Sequence, residues 1–127
     1  MAAVDTNVLV RLLTQDDASQ ARHADAFLDR ERPLWISTVV LIETCWVVVS
    51  AYGWSKPRLV AMLAGLADSV DFTLQEAAPV RAAISLFAES RADFTECLAL
   101  ELARAEGQLP LGTFDRRAAR LPGAAAL

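Results

Sequence analysis

The sequence is poor in the residues from which several common active sites are built. It has one histidine, His23, one lysine, Lys56, and two cysteines, Cys45 and Cys97. The cysteines lack the Cys/His spacing of a zinc site and cannot form a disulfide framework, so we expect buried, reduced thiols of a cytoplasmic protein. There is also no glycine-rich phosphate loop. Zinc chemistry and nucleotide binding through such a loop are therefore not expected.

Positive charge is also scarce. Twelve basic residues stand against sixteen acidic ones, which gives a net charge of −4. This balance argues against a protein that binds nucleic acid through a broad basic surface. Local basic clusters, or phosphate contact through a metal ion, remain compatible with it.

Apolar residues are abundant, at 54% of the 127 residues with a mean hydropathy of +0.31. The length predicts a single domain over residues 1–127. The segment from Leu34 to Gly53 is nearly long enough to span a bilayer, but Glu43 lies at its centre. We interpret it as a short strand followed by a buried helix, and expect neither a membrane span nor a signal peptide.

Short apolar strands alternate with helical patterns along the chain, which predicts a three-layer α/β/α sandwich with a central, mainly parallel sheet. The predicted strands are Ala2–Val4, Leu34–Ile36, Val70–Leu74 and Leu109–Phe114. The predicted helices start near Asn7, within Asp16 to Ser19, and near Thr38, Ser55, Glu76 and Thr95, and the capping candidates include Asp16 to Ser19, Ser37 and Ser55. A helical turn is expected after Arg116, and the alanine-rich tail after Pro122 is assigned no element.

Four short stretches place acidic residues where the surrounding apolar sequence suggests burial. The acids are Asp5, Glu43, Asp93 with Glu96, and Asp115. Unpaired buried carboxylates are costly, so if the fold gathers these stretches a divalent metal ion is the simplest counter-charge.

Each acid also has a purely structural interpretation. Asp5 can cap the helix that follows it, and Asp93 with Glu96 fits a first helical turn. Asp115 can pair with a neighbouring arginine. Glu43, set among apolar residues, would then need an internal partner.

Taken together, the four stretches resemble the motifs of the PIN-domain nucleases, and within them the toxin ribonucleases of VapC type. The motifs occur in the family's order over essentially the whole chain: Asp5-Thr6-Asn7, Ser37 to Glu43, Asp93 to Leu98, and Thr113 to Arg116. The resemblance departs at one position, because Glu96 stands where the family places an aspartate. Asp93 is then the alternative ligand at that place.

The resemblance implies a metal-dependent endoribonuclease with Mg²⁺ or Mn²⁺ as cofactor and RNA as substrate. The implied metal-binding and catalytic residues are Asp5, Glu43, Glu96, Asp115 and Asp93. Residues expected to orient these ligands or a water are Thr6, Asn7 and Thr113. Possible RNA contacts are Arg116, Arg117 and Arg91.

Similarity to VapC-type toxins further implies a cytoplasmic homodimer and a small antitoxin partner. Trp46, Trp54 and the apolar stripe Leu59 to Leu66 are compatible with such contacts, although a place in the core is the simpler expectation.

Two alternatives remain open from the sequence. One is a degenerate PIN module that binds RNA or a partner without cleaving, an option that Glu96 keeps open. A phosphatase of haloacid-dehalogenase type also starts with Asp after a first strand, but it would need a second Asp where Asn7 stands and a lysine late in the chain. A phosphoacceptor receiver domain would need such a lysine too, and this chain has only Lys56.

Overall fold

The computed structural model describes residues 2–127. Residues 1–75 and 76–127 form two compact units, which are described in turn. The single domain expected from the length stays a prediction.

The first unit contains a three-stranded parallel sheet in the order β1–β2–β3. The strands are β1 (Ala2–Ala3), β2 (Leu34–Ile36) and β3 (Phe72–Leu74). Ala2 pairs with Leu34, and Leu34 pairs in turn with Phe72. All three lie at predicted strand positions, so the prediction of parallel strands is confirmed for this unit.

Four helices accompany this sheet, and each begins at a side chain that accepts a backbone hydrogen bond. They are α1 (Thr6–Thr14), α2 (Ala18–Glu31), α3 (Thr38–Ser50) and α4 (Lys56–Asp68). The capping residues are Asp5, Asp17, Ser37 and Ser55. Such caps satisfy backbone N–H groups that have no partner within the helix. The fully buried side chains of this unit include Leu9, Leu34, Ile36, Leu41, Val48 and Leu63.

The second unit is built on a pair of helices, α5 (Ala77–Glu89) and α6 (Phe94–Ala105), that pack against each other. Phe87 and Phe94 meet edge to face, with ring centroids 5.9 Å apart. Cys97, Leu98 and Leu100 are fully buried. This arrangement is the ordinary result of apolar residues recurring at helical spacing.

The second unit also holds a two-stranded parallel sheet. Its strands are β4 (Leu111–Thr113) and β5 (Ala124–Ala126), and a single 3-10 turn, Ala118–Arg120, lies between them in the chain. The helical turn after Arg116 is confirmed. No element was predicted for the tail, and this was wrong, because its alanines form β5 and pair with β4.

Both cysteines are buried free thiols, as predicted. Burial raises the pKa of the Cys45 thiol to about 12, so it stays protonated at neutral pH. Within residues 2–127 no helix is long and apolar enough to cross a membrane. The helix interpretation of Leu34 to Gly53 agrees with this finding.

Candidate active site

Asp5 directly follows β1 and begins α1. Its Oδ1 accepts a hydrogen bond from the backbone N–H of Val8 at 3.0 Å, and its side chain is exposed. The predicted capping role is therefore confirmed. A cap of this kind uses one carboxylate oxygen, so Oδ2 stays available to a ligand.

Asp5 and Glu43 share a cavity of about 480 Å³ in the first unit. The cavity is formed where the start of α1 faces the first half of α3. Its lining residues are Asp5, Thr6, Asn7, Val39, Val40, Glu43 and Val47. The structure thus brings together two predicted acids and two of the residues predicted to orient ligands.

Glu43 is exposed, so the expectation of a buried carboxylate was wrong. It lies on the outer face of α3, where Val39 is 72% exposed and Trp46 is 69% exposed. The buried face of the same helix carries Leu41 and Val48. α3 is apolar all round, so hydrophobic periodicity could not show which face turns outward. The internal partner expected for Glu43 is not needed.

Asp93 and Glu96 form a capping box at the start of α6. Asp93 Oδ1 accepts from the backbone N–H of Glu96 at 2.8 Å, and Glu96 Oε2 accepts from the backbone N–H of Asp93 at 3.1 Å. The two side chains satisfy backbone donors reciprocally. Asp93 is exposed, whereas Glu96 is half-buried.

Glu96 also interacts with Asp115 in the same unit. Burial raises the pKa of the Glu96 carboxyl, the hydrogen bond from the Asp93 backbone lowers it, and the charges of Asp93 and Asp115 together with a side-chain hydrogen bond to Asp115 raise it further. Two carboxyl groups that share a hydrogen bond resist simultaneous ionisation. A cation placed beside them would relieve that repulsion.

The loop after β4 holds Asp115 in place. The Thr113 hydroxyl accepts from the Asp115 backbone N–H at 3.0 Å, and Asp115 Oδ1 accepts from the backbone N–H groups of Arg117 and Ala118 at 2.8 and 2.9 Å. These two backbone bonds, with that to Ala118 the larger cause, lower the pKa of Asp115. The predicted pairing with an arginine is present, since Arg117 NH2 lies 3.7 Å from Asp115 Oδ2.

A family model described as "PIN domain" matches residues 2–124. The chain belongs to the PIN domain family. The match confirms the resemblance and the α/β fold class with parallel strands. PIN domains are typically nucleases and generally use divalent metal ions.

Among solved structures, this PIN domain is similar to a "Toxin-antitoxin complex from Klebsiella pneumoniae". The two chains share 19% sequence identity with a TM-score of 0.38, over 98% of this chain and 96% of that chain. At so low a TM-score the likeness carries no argument. No curated protein sequence matches the chain.

The oxygen donors of this PIN domain suit a hard divalent cation. All the candidate ligands are carboxylates, which Mg²⁺ and Mn²⁺ prefer over nitrogen or sulfur. Within residues 2–127 no group of three or more His, Cys, Asp or Glu side chains is placed to hold a metal ion. Two pairs are present instead, Asp5 with Glu43 and Glu96 with Asp115. These carboxylates therefore fit a divalent ion, because they offer oxygen donors and because the ion would relieve the repulsion within each pair.

The three arginines predicted to contact RNA line one cavity of about 420 Å³, and a fourth arginine joins them. Arg91, Arg116 and Arg117 were predicted, whereas Arg120 was missed. Its signal was its spacing, because Arg120 follows Arg116 by one helical turn in a segment already expected to be helical. His23, by contrast, is an exposed helix residue as expected, with Nδ1 2.8 Å from the Ser19 carbonyl oxygen.

Proposed function

We propose that this PIN domain is a metal-dependent endoribonuclease and the toxin component of a VapC-type toxin–antitoxin pair. The observation that carries the proposal is the pairing of carboxylates within a PIN sequence. Asp5 and Glu43 line one cavity, and Glu96 and Asp115 are close enough for each carboxyl to shift the pKa of the other. Family membership favours this nuclease over the phosphatase and receiver alternatives.

The proposed ligands of Mg²⁺ or Mn²⁺ are Asp5, Glu43, Glu96 and Asp115. Asp93 is assigned to the helix cap, where its Oδ1 accepts from the Glu96 backbone N–H, and Glu96 is preferred as the ligand because its carboxyl interacts with Asp115. A bound ion of this kind supplies phosphate neutralisation and an activated water. Asp5 and Glu43 in the first unit, and Glu96 and Asp115 in the second, would each supply carboxylate oxygens to such an ion.

Neighbouring polar groups hold Asp115 in position and lie beside Asp5 and Glu43. Thr113 fixes the backbone of Asp115 through its hydroxyl, and the backbone N–H groups of the following turn fix Oδ1. Thr6 and Asn7 line the cavity beside Asp5 and Glu43, where they can orient a water or a phosphate oxygen. Such supporting residues typically change metal affinity or activity about 10–100-fold when removed.

The toxin proposal includes an antitoxin partner, a homodimer and a cytoplasmic location. An exposed apolar stripe on α3 supports a protein partner, since Val39, Trp46 and Val49 are 72%, 69% and 44% exposed. The expectation that Trp46 lies in the core was therefore wrong, whereas Leu59, Leu63 and Leu66 are buried as expected. Sedimentation should give twice the 13.8 kDa chain mass, and a monomer at micromolar concentration would contradict the dimer.

One observation favours a second candidate, a PIN module that binds RNA without cleaving it. Glu96 replaces the family's aspartate and spends one oxygen on the capping box with Asp93. Turnover separates the two functions, because a binding module would retain RNA without shortening it.

The test is cleavage of single-stranded RNA by the purified protein with Mg²⁺ or Mn²⁺. Asp5→Asn should abolish cleavage and leave the fold intact, because asparagine caps helices as well as aspartate. Asp17→Asn is the matched control, since Asp17 caps α2 through the same kind of bond, from Gln20 at 2.9 Å. Cleavage that survives Asp5→Asn or chelation with EDTA would refute the proposal.

A further inference from the structure

The cavity lined by four arginines in the second unit has no role in the metal chemistry proposed above. Arg91 comes from the turn between α5 and α6, and Arg116, Arg117 and Arg120 come from the segment after β4. Among the described residues that line it, Glu89 is the only acid. The lining therefore carries a formal surplus of three positive charges in a chain whose net charge is −4.

Three of these guanidinium groups have no carboxylate partner. Within residues 2–127, Arg91, Arg116 and Arg120 are exposed and form no ion pair, whereas Arg117 lies 3.7 Å from Asp115. Arg11, Arg32 and Arg104, by contrast, each pair with a nearby acid, for example Arg32 with Asp71 at 3.2 Å. Unpaired guanidinium groups around one cavity repel one another, and an external anion removes that cost.

The chemistry of the cavity favours phosphate. A guanidinium group presents planar N–H donors that match phosphate oxygens in pairs, and several such groups hold one phosphate more firmly than a single charge does. The cavity also shares the segment after β4 with Asp115, whose Oδ1 accepts from the backbone N–H of Arg117, one of the lining residues. An RNA strand at this carboxylate would carry its neighbouring phosphates past the arginines.

We propose that Arg91, Arg116 and Arg120 form a phosphate subsite that holds an RNA backbone phosphate next to the scissile bond. The inference rests on the proposed nuclease function. The arginine cluster would supply local positive charge for RNA binding in a chain whose net charge is negative. Arg117 lines the same cavity and lies 3.7 Å from Asp115, so part of its charge is already balanced.

The test is binding of a fluorescein-labelled single-stranded RNA in EDTA, measured by anisotropy over a range of salt concentrations. Each phosphate contact contributes about 0.7 to the slope of log affinity against log salt for single strands. Because the three guanidinium groups share one phosphate, Arg91→Gln and Arg120→Gln should each reduce the slope by part of that amount, and the double variant by about 0.7. Arg22→Gln is the control, because Arg22 is exposed on α2 and makes no ion pair within residues 2–127. Arg120→Lys should keep the slope, since it keeps the charge.

Unchanged slopes in folded Arg91→Gln and Arg120→Gln would overturn the subsite. It would also be overturned if polyglutamate displaced the RNA as well as unlabelled polyuridylate does, because the cluster would then suit an acidic protein segment. Binding in EDTA requires no cleavage, so the two proposals fail separately. If the slope falls but cleavage survives Asp5→Asn, only the nuclease proposal is refuted. If the slope is unchanged and Asp5→Asn abolishes cleavage, only the subsite is refuted.

Discussion

Substitutions at Asp93 and Glu96 should separate helix capping from metal binding. Asp93→Ala removes the side chain that accepts the 2.8 Å bond from the Glu96 backbone, which should lower the free energy of unfolding by about 1 kcal/mol. Asp93→Asn keeps an acceptor oxygen and should stay close to wild type. Glu96→Gln also keeps its acceptor for the Asp93 backbone N–H and loses only the charge. Urea unfolding followed by circular dichroism measures these differences.

The same variants should rank differently in RNA cleavage. Glu96→Gln should reduce the cleavage rate by more than the roughly 10–100-fold that loss of a supporting group costs, because Glu96 is itself a proposed ligand. Its stability should hold or rise, because burial and the Asp115 charge already disfavour the ionised form of Glu96. Asp93→Asn should cleave at nearly the wild-type rate. The reasoning fails if folded Asp93→Asn loses as much cleavage as Glu96→Gln, since Asp93 would then be the ligand.

Two further predictions concern stability. Thr44 is fully buried, and its Oγ1 has no hydrogen-bond partner within residues 2–127. Thr44→Val should therefore raise the free energy of unfolding by about 1–3 kcal/mol. Val48→Thr, which introduces a hydroxyl at another buried position of the same helix, should lower it. A loss of stability in Thr44→Val would contradict this. Hydrogen bonds from the Tyr52 and Thr14 hydroxyls, with Tyr52 the larger cause, lower the pKa of Asp16. A pKa that is lower in the folded state adds stability that is present above about pH 4 and is lost as the pH falls further. The difference in urea midpoint between wild type and Asp16→Asn should therefore shrink on acidification. A difference that stays constant with pH would count against these hydrogen bonds.

Local sequence signals predicted most of the elements. Capping residues such as Asp17, Ser37 and Ser55 marked helix starts that the structure confirms, because a side-chain acceptor at the first turn is a short-range requirement. The ordered acidic motifs likewise led to the PIN family, which the match over residues 2–124 confirms.

The errors have long-range causes. Strand β5 was missed because alanine has little strand propensity and its pairing with β4 is decided by tertiary contact. Glu43 was misplaced because α3 is apolar on every face, so the direction of its outer face depends on what packs against it. Arg120 was missed although it follows Arg116 by one helical turn, because only the fold shows that both arginines line one cavity with Arg91.

The central claim is that Asp5 and the other paired carboxylates hold a divalent cation. Manganese binding followed by the loss of the free Mn²⁺ electron paramagnetic resonance signal tests it most directly. Wild type and Asp17→Asn should both bind the ion saturably, and Asp5→Asn should bind it at least about 10-fold more weakly. Equal binding by wild type and Asp5→Asn, or no saturable binding by wild type, would contradict the claim.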